Sequence, residues 1–173
     1  NNKKFYKKTE SIRQFGFNPK IKDDHLSFGS NYKLSELNAA FALSDLERSQ
    51  KRLFQRNELA KRYQENLKGS KWKCLTPTNG YTGYYKQIII SPIKRKYLEN
   101  YLKKNNINLT GGVYNIPLHR QSRYKNKNKL KEFKNSNFFS DYHFCPPCFP
   151  EIKFNQVDYI CKKLLEFEKN YLS

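Results

Sequence analysis

Apolar residues recur at helical spacing from Leu37 onward. Leu37, Ala40, Phe41, Leu43 and Leu46 share one stripe; beyond a polar patch at Ser49-Gln50, Leu53, Phe54, Leu59, Tyr63 and Leu67 continue it. Ser35 is suited to cap this pattern, Glu36 sits in its first turn, and Gly69 is suited to end it. The pattern predicts one long helix over residues 36–68, or two broken near Ser49. Trp72 to Leu75 reads as a short strand, closed by Pro77 and the Asn79-Gly80 turn. The stretch Tyr84-Tyr85-Lys86-Gln87-Ile88-Ile89-Ile90 is the strongest strand candidate. Residues 94–105 carry Tyr97, Leu98, Tyr101 and Leu102 at helical spacing, and 107–110 predict a strand running into Gly111-Gly112. Residues 120–137 are basic and polar and predict a mobile loop; 138–149 predict an extended, proline-rich segment. A final helix follows, capped by Asn155 and carrying Val157, Ile160, Leu164, Phe167 and Leu172. The first 30 residues start basic and become loop-like, with a turn at Phe15-Gly16-Phe17-Asn18-Pro19 and a polar loop at Asp23-Asp24-His25. This order predicts an α+β arrangement with helices on one face of a small sheet and no internal repeat.

Composition changes this picture in two ways. Only 37% of the 173 residues are hydrophobic but 16% are aromatic, so rings must supply much of the burial. The net charge of +19 raises the question of a polyanion partner. The cations are 26 Lys against 8 Arg and are spread along the chain, accompanied by many Asn, Tyr and Phe. Readers of phosphate and base edges lean on Arg forks, so this skew fits a codon bias better than nucleic-acid binding. No apolar run approaches a membrane span, and no signal peptide is visible, which makes a soluble, cytoplasmic protein the expectation. With no methionine and an Asn-Asn-Lys-Lys start, the chain reads as a piece of something longer.

The cysteines Cys74, Cys145, Cys148 and Cys161 are expected to be free thiols. Cys145-Pro146-Pro147-Cys148 is formally a C-x-x-C, with His143 nearby, so zinc and redox chemistry compete with a rigid buried turn as its reading. A four-ligand site would have to recruit distant residues, and Phe149-Pro150 disfavours the helix a redox pair needs, so the turn is preferred and no metal is expected.

Two short segments carry a family resemblance. Gly29-Ser30-Asn31-Tyr32-Lys33-Leu34-Ser35-Glu36-Leu37-Asn38-Ala39-Ala40 and Tyr114-Asn115-Ile116-Pro117-Leu118-His119 resemble motifs of the DegT/StrS family of pyridoxal phosphate (PLP)-dependent nucleotide-sugar aminotransferases. Phe5 to Phe17 and Asn137 to Pro150 resemble two further segments of that family in the same order, although Pro146 stands where a Leu is usual.

The resemblance implies the C-terminal small domain of a fold type I aminotransferase: a long helix, a small antiparallel sheet and flanking helices. Residues 1–30 would be the tail of the large cofactor-binding domain and 31–173 the small domain. Asn31 would donate its amide to the phosphate of PLP across a homodimer interface, and Lys33 would stand in for an Arg at the same anion. The reading of Asn31 from its residue type alone is turn chemistry. His25 could lie near that site or be plain surface. Tyr114 and His119 would line the sugar-nucleotide pocket, with Gln121 and Arg123 toward the nucleotide; a satisfied structural histidine is the alternative for His119. Tyr84 and Tyr85 are assigned to strand packing. The Schiff-base lysine of the family lies before this region, so no catalytic residue is expected here and the chain alone should be inactive. The competing reading is a non-catalytic basic binding or assembly module on the same scaffold.

Overall fold

A computed structural model describes residues 2–80, 82–109, 111–124 and 133–172. The chain forms two compact units, Asn1–Ser49 and Gln50–Ser173.

The first unit opens with helix α1, Lys3–Arg13, where Asn2 accepts hydrogen bonds from the Lys4 and Phe5 amides. The basic composition of this stretch predicts no element, yet a short capped helix forms. No residue of α1 is buried. The expected turn follows, with Phe15 and Gly16 both in the left-handed region at φ +60° and +80°. The chain then returns alongside itself: Gln14 pairs with Asn31 and Phe17 with His25, both antiparallel.

Helix α2, Glu36–Asn66, begins in the first unit and ends in the second. It is one unbroken helix, and the polar patch at Ser49-Gln50 is accommodated because both side chains suit a helical surface. Ser35 caps it, its Oγ accepting from the Asn38 amide at 3.3 Å. Gly69, at φ +81°, turns the chain just after the last helical residues.

The second unit contains the core. A three-stranded antiparallel sheet runs β1 (Lys73–Cys74), β2 (Ile89–Ile90), β3 (His143–Phe144), with Ile89 opposite both Cys74 and Phe144. Helices α3 (Arg95–Lys104), α4 (Lys134–Tyr142) and α5 (Phe154–Tyr171) complete it. Leu59, Tyr63 and Leu67 of the α2 region, Leu98 and Leu102 of α3, and Val157, Ile160, Leu164 and Phe167 of α5 form one cluster with Trp72, Ile89 and Phe144. The aromatic share of the composition is used here. Trp72 meets Phe144 and Phe167 edge-on at 5.9 and 6.2 Å, and the buried Tyr63 hydroxyl donates to the Pro147 carbonyl at 2.9 Å. Arg62 grips Asp158 with two hydrogen bonds of 2.7 and 2.9 Å, and Asn66 adds a third at 2.7 Å, which ties α2 to α5.

Five expectations need correction. The strand over 84–90 shrinks to Ile89–Ile90, because Tyr84 takes φ +39° and the partner strands are themselves only two residues long. The strand over 107–110 does not form at 107–109, and Thr110 lies outside the described residues. There Asn106 turns at φ +58° and the Ile107 amide closes the end of α3 on the Leu102 carbonyl. The expected loop over 120–137 begins in a 3-10 turn, Leu118–Arg120, and ends inside α4; residues 125–132 lie outside the described residues. Nor is 138–149 extended throughout. Phe138 stacks on Tyr142 and Phe139 on His143, so these aromatics are spaced for a helix and only the chain beyond it is extended. In the last helix Asn155 lies within the first turn. The reciprocal contact at its start is the Lys153 amide donating to Gln156 Oε1 at 2.9 Å.

Candidate substrate-facing turn

Between α3 and the 3-10 turn the chain has no regular ladder, so its backbone polar groups must find partners elsewhere. They find them on β3, on α4, on the Lys86 side chain and within the turn itself. The Gly112 carbonyl accepts from Lys86 Nζ at 3.0 Å, and the Val113 amide donates to His143 Nε2 at 2.8 Å. The Asn115 carbonyl accepts from Ser140 Oγ at 2.7 Å. Asn115 Oδ1 accepts twice, from the Gly112 amide at 2.9 Å and from Arg95 at 2.8 Å. Arg95 also reaches the His143 carbonyl at 3.2 Å and Glu99 at 3.0 Å. Gly112 is required by this packing. A Cβ there would lie 2.1 Å from Asn115 Oδ1 and 2.5 Å from His143 Nε2.

So anchored, the turn holds Tyr114 at 71% exposure, with Ile116 and Leu118 also exposed beside it. His119 goes the other way. It is buried, its Nε2 lies 2.8 Å from Asn137 Oδ1, and its ring stacks on Phe133 at 4.6 Å. These partners come from α4 and the residue just before it. Gln121 donates to the Ile116 carbonyl at 3.0 Å and so braces the turn. Arg123 is exposed, whereas Arg120 is paired with Asp141 at 2.8 Å and holds that carboxyl below its ordinary range. Tyr84 is half-buried with its hydroxyl 3.2 Å from Gln64 Nε2; Tyr85 is exposed and packs in no strand, a correction to its assignment. Lys94, Arg95, Lys96 and Asp141 line a shallow depression at the start of α3.

Asn31 and Lys33 belong to the first unit and are both exposed. Asn31 Oδ1 accepts from the Lys33 amide at 3.4 Å, so the side-chain oxygen is turned to its own backbone and the amide NH2 is the group left to offer. The preceding Gly29 packs tightly: a Cβ there would lie 2.4 Å from the Gly16 amide nitrogen. His25 is exposed and its Nδ1 lies 2.9 Å from the Phe15 carbonyl, a local bond that stabilises the loop.

All four cysteines are free. Burial pushes the Cys74 and Cys148 thiols up to about 11 and Cys161 to about 12, so they are protonated at neutral pH. His143, the histidine beside the C-x-x-C, has both ring nitrogens engaged, by Val113 and by the Phe139 carbonyl at 2.5 Å. Its role as an anchor had no signal in the sequence beyond the paired glycines at 111 and 112, which mark a place where something comes close.

The profile of the DegT/DnrJ/EryC1/StrS aminotransferase family matches residues 1–165, and the chain belongs to that family. It is 27% identical over 175 aligned positions to a dTDP-4-amino-4,6-dideoxy-D-glucose transaminase of Shigella dysenteriae, covering 97% of this chain and 47% of that protein. The chain thus spans about half the length of the curated relative it matches. Among solved structures, a sugar aminotransferase of Streptococcus pneumoniae in its PMP form superposes with a TM-score of 0.85 at 18% identity. The match covers 99% of this chain and 45% of that one. Helicobacter pylori PseC, an aminotransferase of pseudoaminic acid biosynthesis, gives 0.82 at 20% identity, covering 99% and 48%. At these identities the structural matches establish the fold.

Proposed function

We propose that this chain is the C-terminal portion of a PLP-dependent aminotransferase that moves an amino group from an amino acid to a nucleotide-linked keto-sugar. The observation that carries the reading is the turn Gly111–Asn115: an irregular segment pinned from α3, α4, β3 and the Lys86 side chain so that Tyr114 projects to solvent. Within a family of sugar aminotransferases, such a fixed aromatic with a hydroxyl suits contact with a sugar or its diphosphate. Gln121 braces the chain at the Ile116 carbonyl, and His119 is read as a structural histidine held by Asn137 and Phe133. The cationic field of the chain favours a diphosphate-bearing ligand.

The cofactor's phosphate would be met by the Asn31 amide, with Lys33 adding a point charge; the free amide NH2 of Asn31 fits an anionic oxygen. PLP supplies the electrophilic carbonyl and the electron-withdrawing ring for transfer of the amino group. Among the described residues no lysine is buried, and a desolvated lysine is what covalent attachment of the cofactor calls for. We read that lysine as supplied from outside this chain, whose share would be to bind and orient. In the family's paired arrangement, the Asn31 turn serves the site of a second subunit, so the complete enzyme is a homodimer.

The test is amino transfer from glutamate to a dTDP-linked keto-sugar by the full protein, with Tyr114→Phe and Asn31→Ala variants. Tyr114→Phe should raise KM for the sugar nucleotide, and Asn31→Ala should weaken cofactor retention. Full activity and unchanged KM in both variants would remove the proposed roles.

A further inference from the structure

We infer that His143 is a positioning residue for sugar-nucleotide binding: as a neutral imidazole protonated at Nδ1, it fixes Val113 and hence Tyr114, and a second proton on Nε2 releases the turn. This rests on the reading of Tyr114 given above. The hydrogen-bond partners define the tautomer. The Phe139 carbonyl can only accept, so Nδ1 carries the proton; the Val113 amide can only donate, so Nε2 must be bare. A proton on Nε2 would face the Val113 N–H donor to donor at 2.8 Å, and the ring has nowhere to turn. It is fully buried and stacked on Phe139 at 4.2 Å with the planes 7° apart, and its Nε2 side lies so close to Gly112 that a Cβ there would come within 2.5 Å.

The surroundings reinforce the bare state. Arg95 of α3 and Lys86 before β2 are the cations acting on the ring, and α4 presents the Phe139 carbonyl. Next along the chain from β3, the Cys145 thiol is pushed up by burial and stays neutral. The carboxylates on these helices are already committed, Glu99 to Arg95 and Asp141 to Arg120. Burial, then the two cations, lowers the His143 pKa from its ordinary 6.5, against the pull of the Phe139 bond. Neutral pH therefore holds the latch closed and mild acid opens it. The same two residues that disfavour protonation also bind the turn directly, Lys86 at Gly112 and Arg95 at Asn115.

The experiment is NMR of the histidine-labelled chain, followed by thymidine diphosphate titration of the full protein. The 15N signals of His143 should show a protonated Nδ1 and a bare Nε2 coupled to the Val113 amide. On acidification, protection factors at 113–115, taken against intrinsic exchange at each pH, should fall in step with His143 titration, with a midpoint below 6.5. His143→Gln, whose side-chain oxygen can still accept from Val113, should keep the protection and abolish the pH step. His143→Leu should lose protection at every pH and weaken thymidine diphosphate about tenfold, the worth of one buried hydrogen bond. If the Leu variant does not fold, the wild-type titration and the Gln variant decide alone. An Nε2–H tautomer, or protection at 113–115 indifferent to the His143 titration, overturns the inference. So does a turn that loosens while nucleotide affinity stays constant. Absence of nucleotide affinity at any pH, with the turn behaving as described, instead overturns the reading of Tyr114.

Discussion

The Gly112 amide donates to Asn115 Oδ1 at 2.9 Å, and the missing Cβ of Gly112 is what lets that oxygen approach. A side chain at 112 would also press on His143 Nε2. Gly112→Ala should therefore cost about 1–3 kcal/mol through overpacking. For a chain of this size that lowers Tm by roughly 2–4 °C per kcal/mol. A thermal melt equal to wild type would show that the turn relaxes without strain. The same variant in the full protein should raise KM for the sugar nucleotide more than it lowers kcat.

The core prediction is independent of any site. Leu164 is fully buried on α5, so Leu164→Ala should destabilise by about 2–5 kcal/mol without altering the tautomer of His143. Chemical denaturation, with NMR of the histidine signals, checks both halves.

Asp158 gives the chain an acid limit. Its pKa is lowered, first by the hydrogen bond from Arg62 and then by that from Asn66. A depressed carboxylate contributes stability that is present above its unfolded value near 3.8 and is lost as pH falls through the folded value. His143 acts higher on the scale with the same sign, since its unfolded form takes up a proton first below 6.5. Melts between pH 7.5 and 3 should fall in two stages; His143→Gln should remove the upper stage and Asp158→Asn should flatten the lower.

Thiol chemistry offers a check on burial. Cys145, Cys148 and Cys161 are buried and protonated, so a disulfide reagent should modify them only at the rate of local opening. Cys74, half-buried with its thiol pushed up to about 11, should also be slow. A fast phase worth one or more thiols in the native chain would contradict the placement.

Assembly is testable on the chain as it stands. Phe28 is fully exposed, and Leu34, Leu37, Phe41 and Leu46 each leave about two thirds of their surface to solvent. Faces of this kind usually mark a missing partner. Sedimentation should show concentration-dependent self-association, reduced by Phe41→Lys; a monodisperse monomer at all concentrations would argue against a buried role for this face.

The periodic segments were legible because their signals are local. The α2 stripe with Ser35 at its start and the α5 spacing of Val157, Ile160, Leu164 and Phe167 depend only on neighbours three and four residues away. So did the two motifs, which placed Asn31 and Lys33 in one turn and Tyr114 in another from residue order alone. The short sheet was not legible, because a two-residue strand exists only through partners 15 and 55 positions along the chain, as Ile89 with Cys74 and Phe144 shows in its register. The direction of His119 was likewise set from outside, by Asn137 and Phe133. Most of all, tertiary structure alone decided the state of His143. Its tautomer follows from a donor at Val113 and an acceptor at Phe139, one 30 residues away and the other one helical turn back. A proton's position depends on which lone pairs and N–H groups meet in space, and no pattern of residue types along the chain records that.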